Sequence, residues 1–309
     1  MKEGALIRSL LVGFPAGLLV LGVGAMFYSQ IQAEKEPADP NEAIRLEAAS
    51  LQRRPVGEEE LSRSLAILSG PLADRSFASA DGLEKTAFWL ESTLGGGNIG
   101  YVVERHDFET PGRELRNLVA ELPGRDRRKE IIVVGVRYDE TGADGGIAAL
   151  VALARALAGE AQQRTVRFIA FADGGGAVPA GQRGSYQYAM RCRSRGETVI
   201  AMLSLDAIGG PGQESRVVFS GEESSRYFVD SAQGAFSTVS PRKGGSELLD
   251  RGTFVSGKVA AAGFAGAEIA AVSVVEESKA TGPVVGMNFG ALLEVTRGLE
   301  AVVRVWANP

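Results

Sequence analysis

Four almost uninterrupted apolar runs limit what this 309-residue chain can fold into more than any other feature. EIIVVGV (residues 130–136), TVRFIAF (165–171), TVIAMLSL (198–205) and AEIAAVSVV (267–275) place apolar side chains at successive positions rather than alternate ones. A strand with one wet face alternates apolar with polar, so such runs belong in the middle of a sheet that helices cover on both sides. Segments of helical period lie between them: IAALVALARALA (147–158), the stretch around Tyr186, SSRYFVDSAQGAF (224–236) and a closing FGALLEVTRGLEAVVRVW (289–306). Two amphipathic helices come earlier, over 58–68 and 81–94, the second with Asp81 as a candidate N-cap. A strand pair follows, GYVVERHDFE (100–109) and RNLVAELPG (116–124). The alternation predicts an α/β fold, a three-layer α/β/α sandwich with a mostly parallel central sheet.

A different kind of segment precedes this domain. Residues 10–28, LLVGFPAGLLVLGVGAMFY, carry no charge. At ~1.5 Å per residue they span about 28 Å, close to the ~30 Å hydrocarbon core of a bilayer. Lys2 and Arg8 lie before this run, while Glu34, Glu36 and Asp39 follow it, which places the N-terminus in the cytoplasm. The small residues Val23, Gly24 and Ala25 resemble a signal-peptidase site, but the apolar run continues past them, so an uncleaved transmembrane helix is expected. The expected organisation is a cytoplasmic tail over 1–9, an anchor over 10–28, a stalk and linker over 29–57, and a periplasmic or extracellular domain over 58–309.

The charge balance and two rare residue types remove several function classes. A net charge of −5 and a pI near 5.3 leave no basic excess for a nucleic-acid groove. A single cysteine, Cys192, rules out an intrachain disulfide framework and is expected to be a small buried residue. The single histidine, His106, lies among charged neighbours and is expected to be a solvated strand residue. No Gly-x-Ser-x-Gly elbow occurs, and no Gly-Lys-Ser/Thr follows the triple glycine at 174–176.

Taken in order, RNLVAELPG, EIIVVGVRYDE, GADGGIAALVALARALA, RTVRFIAFAD, Gly184-Ser185, AMLSLDAIG and LLDRGTF resemble the di-zinc exopeptidases, the family of bacterial aminopeptidases, glutamate carboxypeptidase and the glutaminyl cyclases. The resemblance runs from about Asp81 to the C-terminus. It implies a site at the C-terminal ends of the central strands, with two zinc ions on five protein ligands and a separate glutamate as general base. Matched residue by residue, the family's first ligand histidine is Arg137 here, and the aspartate that orients that histidine is Asp139. The metal-bridging aspartate matches Asp144, and the ligand aspartate after the next strand matches Asp206. The family's Glu-Glu pair, base and ligand, would lie just before Gly181 and Gly184-Ser185, where this chain reads Gly, Ala, Val, Pro. The last ligand histidine would fall at Ser278 or Lys279, and a Ser-Asp-His segment reads Leu249-Asp250-Arg251.

An arginine has no lone pair to offer a metal, so the resemblance implies a degenerate former metal site of Arg137, Asp139, Asp144, Asp206 and Ser278. No cofactor is expected on this reading. The chain is expected to be a catalytically silent, peptidase-like module that binds an unknown protein or peptide partner outside the cytoplasm. The alternative is an active metallo-aminopeptidase with a rearranged zinc site. Asp173, Glu140 or Glu276 would complete an oxygen-only site for a harder cation. Asp144 and Asp206 also have a purely structural reading, as caps of a helix start and a strand end. Between them Arg137 is expected to replace the cation, with its guanidinium bonded to Asp144, Asp206 or both.

Overall fold

The computed structural model of the chain describes residues 52–174, 177–209, 215–277 and 288–309, all within one compact unit, Ala48–Pro309. The expected tail and anchor over 1–28 and most of the stalk lie outside the described residues. Among the described residues no helix is long and apolar enough to cross a membrane.

Two helices open the unit, α1 (Glu58–Ser69) and α2 (Ala80–Leu94). Asp81 is not the N-cap of α2; Ser79 is, and Asp81 sits in the first turn, pairing with Lys85 at 2.6 Å. The hairpin β1 (Val103–Thr110) and β2 (Arg113–Leu122) follows, then β3 (Arg127–Arg137), α3 (Asp144–Leu157), β4 (Arg164–Phe171), α4 (Gly184–Ser194) and β5 (Thr198–Leu205). The rest is β6 (Arg216–Glu222), α5 (Arg226–Val239), β7 (Gly244–Leu249), α6 (Arg251–Ser256), α7 (Ala260–Gly266), β8 (Ala271–Glu277) and α8 (Phe289–Ala307).

The eight strands form one sheet in the order β1-β2-β4-β3-β5-β8-β6-β7. The four apolar runs are its centre, β4, β3, β5 and β8, all mutually parallel. The flanks are not: β2 meets β4 antiparallel, and β6 runs antiparallel to β8 before pairing parallel with β7. The sheet is therefore mixed rather than mostly parallel, because the hairpin at one edge and β6 at the other reverse direction.

Side chains of successive residues enter two separate cores, one on each face. Ile132, Val134 and Val136 of β3 join the core formed with α1, α2, α3, α5 and α8, whereas Ile131 and Val133 face Tyr188, Cys192, Phe254 and Phe264 under α4, α6 and α7. That alternation is why the β3 run must be apolar throughout. Each fully buried Val, Leu or Ile contributes roughly 1.5–3 kcal/mol. Helix α3 is buried from Gly145 to Leu157, since α1, α2 and α8 cover the side the sheet does not, and its sequence is accordingly apolar all round. Cys192 is buried, as expected. His106 is not solvated: it is half-buried, edge-on to Tyr188 and beside Asn117, and burial with the nearby Arg191 and Arg195 charges pulls its pKa down to about 4.

Candidate functional site

Because β3, β4 and β5 are parallel and in register, with Arg137 opposite Phe171 and Gly135 opposite Ser204, the residues that follow them emerge at one sheet edge. Asp139 lies two residues past β3, Asp173 two past β4 and Asp206 one past β5, while Asp144 is the first residue of α3. The three expected carboxylates Asp139, Asp144 and Asp206, together with Asp173, thus gather at the edge where Arg137 ends its strand. The fifth expected position, Ser278, lies outside the described residues, as does Lys279.

Each carboxylate has its own partner. Asp139, 2% exposed, accepts the Gly174 N–H on Oδ2, while its Oδ1 has no hydrogen-bond partner. Burial and the neighbouring Asp173 charge push its pKa up to about 6. Asp173 accepts both the Ser185 N–H at 2.8 Å and the Ser185 hydroxyl at 2.9 Å, so it satisfies the start of α4 from outside the helix, and burial raises its pKa. Asp206 accepts the hydroxyls of Ser204 at 3.0 Å and Ser273 at 2.6 Å; loss of solvent moves it to about 6. Asp144 is not an N-cap, which is Ala143; its Oδ1 accepts from Arg75, a residue in the turn between α1 and α2.

Arg137, the last residue of β3, does not bond to Asp144 or Asp206. It pairs with Glu140, three residues on, and its Nε is buried without a partner. The reason is local: Glu140 shares its turn, both oxygens of Asp206 already hold serine hydroxyls, and Arg75 has taken Asp144. Its charge nevertheless reaches further, favouring the ionised forms of Asp139, Asp173 and Asp206.

Two residues that the sequence does not single out organise this edge. Arg75 is 1% exposed and donates from Nη1 to the Leu68 and Leu72 carbonyls at 3.1 and 3.0 Å, besides its pairing with Asp144. Asn117, fully buried in β2, accepts the Ala172 N–H at 3.1 Å and donates to the Gly184 carbonyl at 2.9 Å, tying the loop after β4 to the start of α4. A Cβ on Gly184 would lie 2.3 Å from Asn117 Oδ1, so only glycine fits there. In the same loop Gly174 has φ +71°, and Val178 folds back against it, 2% exposed. An asparagine inside an otherwise apolar strand was the available signal for Asn117.

The other acidic candidates are likewise engaged. Glu276 accepts from Arg242 at 2.8 Å and the Gly209 N–H at 2.8 Å. Asp250 caps α6 through the Thr253 N–H at 3.0 Å, and Arg251 pairs with Glu222 at 2.9 Å. Among the described residues no three His, Cys, Asp or Glu side chains are placed to hold one metal ion.

The sequence profile of Peptidase family M28 matches residues 117–273, just over half of the chain. The chain belongs to this family. Among solved structures it is similar to LapA of Legionella pneumophila, with a TM-score of 0.66 and 15% identity over 88% of this chain and 78% of that one. It is similar also to BSAP, a zinc aminopeptidase from Bacillus subtilis, at TM-score 0.66 and 12% identity, covering 82% and 96% of the two chains. A leucine aminopeptidase precursor from Bacteroides thetaiotaomicron aligns at TM-score 0.63 and 13% identity, over 82% and 99%. At these identities the likeness is one of fold. No curated protein sequence matches the chain.

Membership of M28, with a zinc aminopeptidase among the structural neighbours, implies zinc, and it overturns the expectation that no cofactor belongs to this chain. The described donors do not by themselves fit the paired zinc centre that the resemblance implies. A guanidinium occupies the position of the first histidine, Asp144 is held by a second guanidinium, and the one histidine is committed to the β1–α4 contact.

Proposed function

We propose that this M28 member is a membrane-anchored, extracytoplasmic peptidase-fold domain that does not hydrolyse peptides and acts as a binding or complex-forming module. The observation that carries this reading is Arg137 at the position of a metal-binding histidine, closed by its own pairing with Glu140. In support, Val178 packs inward in the loop where the base and its neighbouring carboxylate would stand, and Asp173 is committed to Ser185. The apolar run over 10–28 supports the anchor, and the acidic cluster after it supports the outward orientation.

Aminopeptidase assays on leucine p-nitroanilide, with the full chain in mild detergent and with zinc supplied, test the reading. The rate is expected to stay at the buffer background and to be the same for Asp206→Asn and Asp144→Asn. A chelator-sensitive rate that Asp206→Asn abolishes would instead establish the alternative, a metallo-exopeptidase with a rearranged site.

A further inference from the structure

A pocket of about 380 Å³ opens at the end of α3 remote from Asp144, lined by Arg155 of that helix and by residues of α1 and α2. Asp144 and Arg155 are eleven residues apart on one helix, about 17 Å along its axis, so the pocket is separate from the sheet-edge site. Its size is within the range of small-molecule sites.

Two observations indicate what it is built for. The first is its hydroxyls. Within helices a serine or threonine usually turns its hydroxyl onto the carbonyl four residues back, as Ser69 does to Leu65 at 2.7 Å and Thr86 to Gly82 at 2.9 Å in these same two helices. Ser64 and Thr93, only 5% and 9% exposed, line the pocket and make no such bond, leaving both hydroxyls for an occupant.

The second is charge. Arg155 and Glu60 neutralise each other in a buried pair completed by Asn98 at 2.6 Å, and Arg63 is matched by Glu59 at 2.6 Å. Arg54, on the rim, has no side-chain partner among the described residues. Three guanidinium groups face two carboxylates in the lining, an excess of one positive charge, and the Trp89 indole and Ile67 provide an apolar wall.

We propose that this pocket binds a small organic carboxylate with an apolar or aromatic body. The Arg54 guanidinium takes the carboxylate, Trp89 and Ile67 pack on the body, and the Ser64 and Thr93 hydroxyls bond to a polar group between them. The site is independent of any peptidase chemistry at the sheet edge.

The test is calorimetric titration of the full chain in detergent micelles with N-acetylphenylalanine and with its neutral amide, followed in parallel by tryptophan fluorescence. Saturable binding of the acid is expected in the millimolar range or tighter, at least about ten-fold stronger than the amide. Arg54→Gln should remove that preference, Thr93→Val should weaken both ligands several-fold, and Trp89→Phe should abolish the fluorescence response. No saturable binding of the acid, equal affinity for acid and amide, or binding unchanged in Arg54→Gln would overturn the proposal.

Discussion

Arg75→Met is expected to destabilise the domain by about 3–5 kcal/mol, the usual range for removing one partner of a buried ion pair. The guanidinium is 1% exposed, so nothing in water substitutes for what it does. Its Nη1 is the donor for two carbonyls, Leu68 in the last turn of α1 and Leu72 just beyond it, and without it those oxygens are buried with fewer donors. Its Nη2 faces Asp144, whose side chain is 15% exposed and therefore only partly able to recover solvation once the cation is gone. Part of the loss is thus Asp144 left charged at the start of α3, and that part is separable. Arg75→Met with Asp144→Asn should be more stable than Arg75→Met alone, while Asp144→Asn alone should cost less than the arginine change. Urea unfolding of the four proteins measures the coupling. A loss under about 1 kcal/mol in Arg75→Met, or strict additivity, would mean that the pairing with Asp144 is not what fixes the turn between α1 and α2 to α3.

The same residue marks the boundary of what the sequence discloses. The central strands were legible because a run such as IIVV has to serve two cores at once, and its position between helical segments fixes its direction. β6 and β7 were not: RVVFSGE has only three successive apolar residues, and GGSELL begins with two glycines, poor strand formers that are tolerated because β7 is an edge strand. Missing them hid the antiparallel β6 and made the sheet read as more parallel than it is. The site residues were placed at one edge by strand register alone, so Asp139, Asp144 and Asp206 could be found. Their partners could not. Arg75 is 69 residues from Asp144 in a segment that reads as an ordinary turn, and nothing local says that its side chain points inward. Arg137 was expected to seek the carboxylates left by the metal ligands, yet Glu140, already visible three residues along, is the shorter reach.

Lowering the pH from 7.5 to about 5 is expected to stabilise the domain, and Asp139 is the residue that isolates the effect. Its pKa rises from 3.8 to about 6 on folding, first because it is buried and then because Asp173 lies beside it. A carboxyl raised in this way binds its proton more tightly folded than unfolded. Its contribution is fully present below the unfolded pKa, declines as the pH climbs towards 6, and is absent above that. A rise of this size corresponds to at most about 3 kcal/mol between the extremes. Asp206, also at about 6, and Asp173, raised by burial, act in the same direction, whereas the lowered Glu130 and Glu197 oppose it only as the pH falls through the ordinary carboxylate range. Stability should therefore peak near about pH 5 rather than at neutrality. Asp139→Asn mimics the protonated form and keeps an oxygen for the Gly174 N–H. It should raise the urea midpoint at about pH 7.5, leave it nearly unchanged at about pH 5, and flatten the slope between them. An Asp139→Asn protein that loses stability at neutral pH and retains the wild-type slope would show that the charged carboxylate is favoured in the folded state, held there by Arg137 more strongly than burial opposes it.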